Sequence, residues 1–275
     1  MNEIQTYDIS GVQPEKHSRA YFALFDTLQL IKRSLKHILK NPDQLLSLII
    51  QPVMFMLLFR YVFGGAIQTG GTSYVNFLVA GILIQSAAFG ALTTSLSVAT
   101  DLQRGIVDRF KSLPMMSSAV MIGHVVADLV RNIISSAVMV GVALLVGFRP
   151  DATVAEWFYA IGLLLLFTFA FSWVSAIIGL VAKSVEAVQW IGFVLVFPFT
   201  FASAAFVPTA TMPKGLRVFA ENQPVTQVIE ALRALLVGTP IGNHGRLAII
   251  WCVGIIAITI PLAGYLFRNR VTSNK

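Results

Sequence analysis

Between Leu45 and Phe267 the chain is a succession of apolar runs, each about twenty residues or longer, broken by short polar joints. A helix rises ~1.5 Å per residue, so about twenty apolar residues cross a ~30 Å hydrocarbon core. No water reaches backbone groups there, so such runs must satisfy their own hydrogen bonds as helices. Six spans are predicted, at about 45–63, 74–99, 119–146, 154–182, 188–207 and 247–267. Composition agrees, with 56% hydrophobic and 12% charged residues and a mean hydropathy of +0.76, which is the balance of an all-α polytopic membrane protein. The net charge of +7 does not point to nucleic acid, because the cations flank the spans.

The joint between the second and third spans, Asp101–Met116, is DLQRGIVDRFKSLPMM. Leu102, Ile106, Phe110 and Leu113 recur at spacings of four, four and three, which makes one helical stripe. Arg104, Asp108 and Arg109 fall mostly off it, and Pro114 ends the pattern. A short amphipathic helix tied between two spans can dock in a groove of a soluble partner and pass motion to both. It can equally lie on lipid headgroups. The residues of the joint leave both readings open.

Residues 1–21 are polar and aperiodic, which predicts a disordered tail without a cleavable leader, so the first span acts as its own insertion signal. Over 22–40, Leu24, Leu28, Ile31, Leu35 and Ile38 form one face, opposite Lys32, Arg33, Lys36 and Lys40. That is a basic amphipathic helix suited to a membrane surface, with Lys32, Arg33 and Lys36 against anionic lipid. The first span carries Gln51-Pro52 and the fifth Pro198, both expected to kink. Thr93, Thr94, Ser95, Ser97 and Thr100 read as helix-packing hydroxyls, and Phe167, Phe169, Phe171 and Trp173 as core or lipid-facing rings. Asp128 and Arg131 stand one turn apart and read as a structural ion pair, with His124 an interfacial side chain.

From Pro208 to Gly238 the pattern changes. Pro213 and Pro224 suit first helical positions. Val225, Val228, Ile229, Leu232, Leu235 and Leu236 share a face of a helix too short to cross, with Glu230 and Arg233 as an i,i+3 pair. Residues 213–238 are therefore predicted as re-entrant or interfacial helices that dip an apolar side into the outer leaflet, and 268–275 as a tail. Counting Lys and Arg outside the spans gives 13 on the side of both termini and the 101–116 joint, against 5 on the other. That asymmetry predicts cytoplasmic termini and a cytoplasmic joint.

Motifs for independent chemistry are missing. No G-x-x-x-x-G-K-[ST] cradles phosphates, no H-E-x-x-H binds zinc, and no G-x-S-x-G presents a nucleophile. Four His and the single Cys252 form no metal-ligand spacing. The spans lack the several buried carboxylates of an ion-coupled carrier, so uphill transport would draw energy from a partner.

Three stretches carry a resemblance: QPVMFMLLFRYVFGGAI (Gln51–Ile67), LQRGIVDRFKSLPM (Leu102–Met115) and AFVPTATMPKGLRVFAENQPVTQVIEALRALLVG (Ala205–Gly238). In that order and spacing the chain resembles permeases of type-2 ABC exporters, most closely the daunorubicin-resistance-like drug-export permeases. The resemblance implies six spans, an interfacial N-terminal helix, a cytoplasmic coupling helix at 101–116 and short re-entrant helices before the last span. It implies a bacterial inner-membrane permease paired with a second one, identical or paralogous, and with two separate subunits that hold ATP and Mg. No cofactor is expected in this chain. The expected cargo is an amphiphilic drug, polyketide, lipid or glycan precursor, moving along the first, second and fifth spans past Gln51, Gln85 and Phe199. An ion-coupled carrier and a non-transporting scaffold are the alternatives.

Overall fold

The structure is a computed structural model that describes residues 42–67, 69, 73–104 and 117–273. The predicted interfacial helix with Lys32, Arg33 and Lys36, and Ile106, Asp108, Arg109, Phe110 and Leu113 of the joint, lie outside the described residues.

The described residues form helices joined by turns and short irregular stretches, with no strand. In chain order the helices are α1 Pro42–Leu58, continued by a π-helical turn Phe59–Phe63; α2 Tyr74–Gln103; α3 Ser117–Val146; α4 Val154–Val181; α5 Val185–Phe201; a 3₁₀ turn Thr209–Thr211; α6 Lys214–Asn222; α7 Pro224–Val237; and α8 His244–Ser273. Among them α2, α3, α4 and α8 are long and apolar enough to cross a membrane, while Ile49–Phe63 and Val185–Phe201 are apolar but shorter.

Local chemistry sets the boundaries. Ser73 Oγ accepts the Asn76 N–H at 3.3 Å to open α2. Thr153 and Glu156 form a reciprocal capping box at the start of α4, the Thr153 N–H reaching Glu156 Oε2 at 2.7 Å. Ser184 Oγ caps α5 through the Ala187 N–H at 3.1 Å. Gly238, at φ +71°, ends α7 in the left-handed region that glycine adopts without a Cβ clash.

Helix α2 is the hub, packed against α1, α3, α4, α5 and α7. Its most apolar window is 83% buried, whereas that of α8 is 22% buried. Leu78, Ile82 and Ile84 of α2 share one core with Phe148, Phe167, Ile229 and Leu232. Close approach needs glycine here: a Cβ on Gly179 would stand 2.5 Å from the Ser95 carbonyl oxygen. The hydroxyls of the run bond back along their own helix, Ser95 to Leu92 O at 2.6 Å, Ser97 to Thr93 O at 2.8 Å and Thr100 to Leu96 O at 2.7 Å. Phe167, Phe171 and Trp173 are core residues.

Two expectations differ from what is observed. The fifth helix stops at Phe201 rather than near 207, because the backbone leaves helical angles at Ala202 (φ −89°, ψ +51°) just after Pro198. Helix α7 does more than dip an apolar side: Thr226, Gln227 and Arg233 are buried together with its apolar face, and Glu230 stays partly exposed.

Candidate functional site

Three polar places interrupt this apolar bundle. The first lies at the joint. Asp101 closes α2 and His124 sits on α3, with Nε2 2.9 Å from Asp101 Oδ2 and both side chains 17% exposed. The pair bridges the two helices next to the residues that connect them. Leu102 packs partly buried against a cluster of Val98, Met121, Val125 and Trp173, and Arg104 is exposed. These two are the members of the predicted grip that fall among the described residues.

The second is the Asp128 carboxylate, fully buried between α2, α3 and α4. It accepts hydrogen bonds from Ser172 Oγ of α4, Asn132 Nδ2 at 3.2 Å and Arg131 Nη2 at 3.4 Å, while Thr93 Oγ1 of α2, whose hydrogen goes to Gly90 O at 2.8 Å, stands 3.5 Å away. Gly90 makes room for this group, since a Cβ there would meet Asn132 Oδ1 at 2.9 Å. The predicted pair of Asp128 and Arg131 is present. Ser172 and Asn132 were not foreseen, although Asn132 stands at helical spacing from Asp128. A buried ion this well bonded ties α3 to α4 where both pack on α2.

The third is the break after α5, where the chain from Ala202 to Phe206 runs irregularly inside the bundle. Irregular backbone at such a depth needs a partner for each polar group. Gln223 Nε2 donates to the carbonyls of Phe199 at 2.9 Å and Ala202 at 2.7 Å. Thr226 Oγ1 accepts the Ala204 N–H at 3.2 Å, and Tyr74 Oη donates to Phe206 O at 3.1 Å. Arg233 does most: Nη2 reaches Ala204 O at 2.5 Å, Nε reaches Phe77 O at 3.0 Å and Nη1 reaches Glu230 Oε1 at 2.6 Å. Gly81 completes the fit, because a Cβ there would clash with the Ala205 backbone at 2.1 Å. The Glu230–Arg233 pair is as predicted, but the long-range bonds of Arg233 were not.

The three residues predicted along a path do not form one wall. Gln51 is half-buried on α1. Gln85 is buried in α2, with no hydrogen bond to its Nε2. Phe199 lines a cleft of about 730 Å³ bounded by α4, α5, α6 and α8, to which Gln51 and Gln85 do not contribute. On the opposite side of α5 a ladder of rings links α5 to α1. Phe193, Phe197 and Phe201 follow at 5.0 and 4.2 Å between centroids, and Phe206, Phe59 and Phe63 continue at 5.1, 4.3 and 5.2 Å. Phe193, Phe197 and Phe63 are exposed. The four-residue spacings of 193/197/201 and 55/59/63 were the available signal. Among the described residues no three His, Cys, Asp or Glu side chains gather to hold a metal ion.

Known proteins give the family. The pattern of the ABC-2 type transporters matches residues 26–237. A daunorubicin resistance ABC transporter permease protein of Streptomyces coeruleorubidus is 31% identical over 270 residues, covering 98% of this chain and 93% of that protein. A probable doxorubicin resistance ABC transporter permease protein of Mycobacterium tuberculosis is 26% identical, covering 92% of each chain. A putative transport permease of Cyanophora paradoxa is 28% identical over 85% of this chain and 82% of its own. The match includes the joint, the Asp128 group and the break after α5, and it makes the chain a membrane permease with no ATPase site of its own, a member of the ABC-2 type transporter family.

Proposed function

We propose that the chain is one of two permeases, identical or paralogous, in a bacterial inner-membrane exporter driven by two separate ATP-binding subunits that hold ATP and Mg. Six spans are proposed. Helix α1 with its π turn covers 42–63, which at ~1.5 Å per residue is long enough to cross, and α5 followed by its irregular continuation serves as the fifth. Both termini and the 101–116 joint are placed in the cytoplasm, following the 13-to-5 cation asymmetry. The relatives are named for daunorubicin and doxorubicin resistance, so the proposed cargo is an amphiphilic drug-like molecule with a planar apolar body. The ring ladder on α1 and α5 supports a path along those helices and α2, since stacked rings offer a sliding apolar surface to such a molecule.

The single observation that carries the coupling reading is the cross-brace at the joint, where Asp101 and His124 hold α2 and α3 together 2.9 Å apart. A push on a segment between two braced spans moves both. In this reading Leu102, Arg104, Ile106, Asp108, Arg109, Phe110 and Leu113 contact the ATP-binding subunit, with Phe110 as the anchor. Burying such a ring stabilises by roughly 1.5–3 kcal/mol, so Phe110→Ala should weaken coupling about tenfold or more. The test copurifies the permease with its ATP-binding subunit and measures substrate-stimulated ATP hydrolysis. Full stimulation in both Phe110→Ala and Phe110→Asp removes the assignment.

A further inference from the structure

Arg60 lies half-buried in the π turn Phe59–Phe63 that closes α1. Helical side chains normally lean back toward the N-terminus. This one reaches forward, since a Cβ on Gly64 would stand 3.5 Å from its Nη1. Its Nε is buried and has no partner. The ion pairs among the described residues use other cations, His124, Arg131, Arg217 and Arg233. Of the carboxylates at this end of the bundle, Glu156 caps α4, Glu221 holds Arg217 and Glu230 holds Arg233, and Asp151 stands against Gly238 at the end of α7. A cation near the end of a span, with no anion from its own chain, marks a binding site by default.

The surroundings identify the molecule that carries the anion. Met54, Leu57, Leu58 and Tyr61 follow at helical spacing along α1 and are exposed, which leaves an apolar stripe running down from the level of Arg60. Tyr61, Tyr159 near the start of α4 and Trp251 near the start of α8 are exposed at the same end of the bundle. Rings with a polar edge gather at the level of the lipid headgroups. A cation at that level lays its stem on apolar surface and turns its head outward, the direction that Arg60 takes. The anion available there is the phosphate of a phospholipid, and a guanidinium fork meets two of its oxygens.

We infer that Arg60 is a phospholipid-binding residue: its guanidinium holds the phosphate of one membrane lipid, whose chains lie along the exposed stripe of Met54, Leu57, Leu58 and Tyr61. The site needs a membrane-embedded chain, but neither the joint nor an ATP-binding subunit, so it stands apart from the proposed transport cycle.

The test places the full-length chain in nanodiscs of digalactosyldiacylglycerol, a bilayer lipid without phosphate. Two probes are added in trace amounts, phosphatidylglycerol and diacylglycerol, each with the same diazirine-bearing acyl chain. After irradiation, peptide mapping reads the label on residues 54–65. Phosphatidylglycerol is expected to label them about tenfold more than diacylglycerol, the scale of a hydrogen bond to a charged group. Arg60→Gln should abolish that preference, and Arg60→Lys should keep part of it, because an ammonium supplies the charge without the fork. Unchanged diacylglycerol labelling around Trp251 shows that each variant is folded and embedded. Excess inorganic phosphate should leave the preference intact, since the chains as well as the phosphate hold the lipid. Equal labelling by the two probes overturns the inference, as does a preference that survives Arg60→Gln. Loss of the preference in inorganic phosphate would make Arg60 an aqueous anion site instead, and absence of label from α1 would mean that another protein surface covers the stripe; either result also overturns it.

Discussion

The guanidinium carbon of Arg233 stands 3.6 Å from the centroid of the Phe77 ring, while its nitrogens bond to the carbonyls of Phe77 and Ala204 and to Glu230. One side chain thus joins α7 to α2 and to the non-helical segment after α5. A planar fork of five donors does this in a way that an ammonium cannot. Arg233→Lys should therefore destabilise the protein by about 2 kcal/mol, and Arg233→Met by about 3 kcal/mol or more, since Met leaves the Ala204 carbonyl of the non-helical segment unpaired and takes the partner from Glu230. Thermal unfolding in detergent, followed by near-ultraviolet circular dichroism, measures both. Wild-type stability in Arg233→Met would show that the break holds without the fork.

The Asp128 group allows a sharper test, because its parts are coupled. Asp128→Asn keeps the shape but leaves Arg131, only 7% exposed, as a buried cation without its carboxylate. Breaking a buried pair from one side costs roughly 3–5 kcal/mol, whereas removing both charges is often near neutral. Asp128→Asn should thus be more damaging than the double variant Asp128→Asn/Arg131→Met. A double-mutant cycle on unfolding midpoints gives the coupling. Strict additivity of the two single effects would mean that the two buried charges of α3 are not coupled.

Much of this architecture is legible in the sequence, and what is not has a common cause. Local signals are readable: apolar runs of span length, the stop at Gly238, the prolines that open α7 and precede α6, and the Asp128–Arg131 spacing. Helix α5 shows the limit. Its apolar run continues through Val207 without a stop signal, so the sequence predicts a longer helix. What permits the break is a set of bonds from Gln223, Thr226 and Arg233, which lie 21 to 29 residues away from the groups they serve. Ser172 is likewise 44 residues from Asp128. Partners this distant follow no periodicity. The candidate path rests on the kinking prolines and on the lack of charge clusters in those spans, neither of which fixes the facing of a side chain, and Phe199 turns to a cleft on the other side of α5 from the ring ladder.

The proposed orientation rests on cation counting, and accessibility decides it. Cysteines at Gly105 and Lys183 should be shielded from an impermeant thiol reagent in intact cells, and one at the exposed Lys214 should label. Background is low because the single native thiol, Cys252, is 1% exposed. Labelling at Gly105 in sealed cells would reverse the topology and with it the cytoplasmic site of the joint.

The ring ladder yields the last prediction. Phe197 is 39% exposed and stacks on Phe201 at 4.2 Å with planes 21° apart. An exposed stack can be truncated without emptying the core, so folding and insertion should survive Phe197→Ala. If a planar apolar cargo slides along α1 and α5, each lost ring removes one stacking contact, worth about 0.5–1.5 kcal/mol. Phe197→Ala should then raise the substrate concentration for half-maximal export by about threefold to tenfold. Phe197→Tyr, which keeps the ring, should change it little. The bland role for these rings is contact with lipid, and it makes a different forecast: Ala, Leu and Tyr at position 197 would all export alike. The two are separated by vesicle export assays with the ATP-binding subunit present and protein amounts matched. A Leu variant that behaves like Ala while Tyr behaves like wild type assigns the effect to the aromatic face, because Leu restores apolar bulk but not the ring.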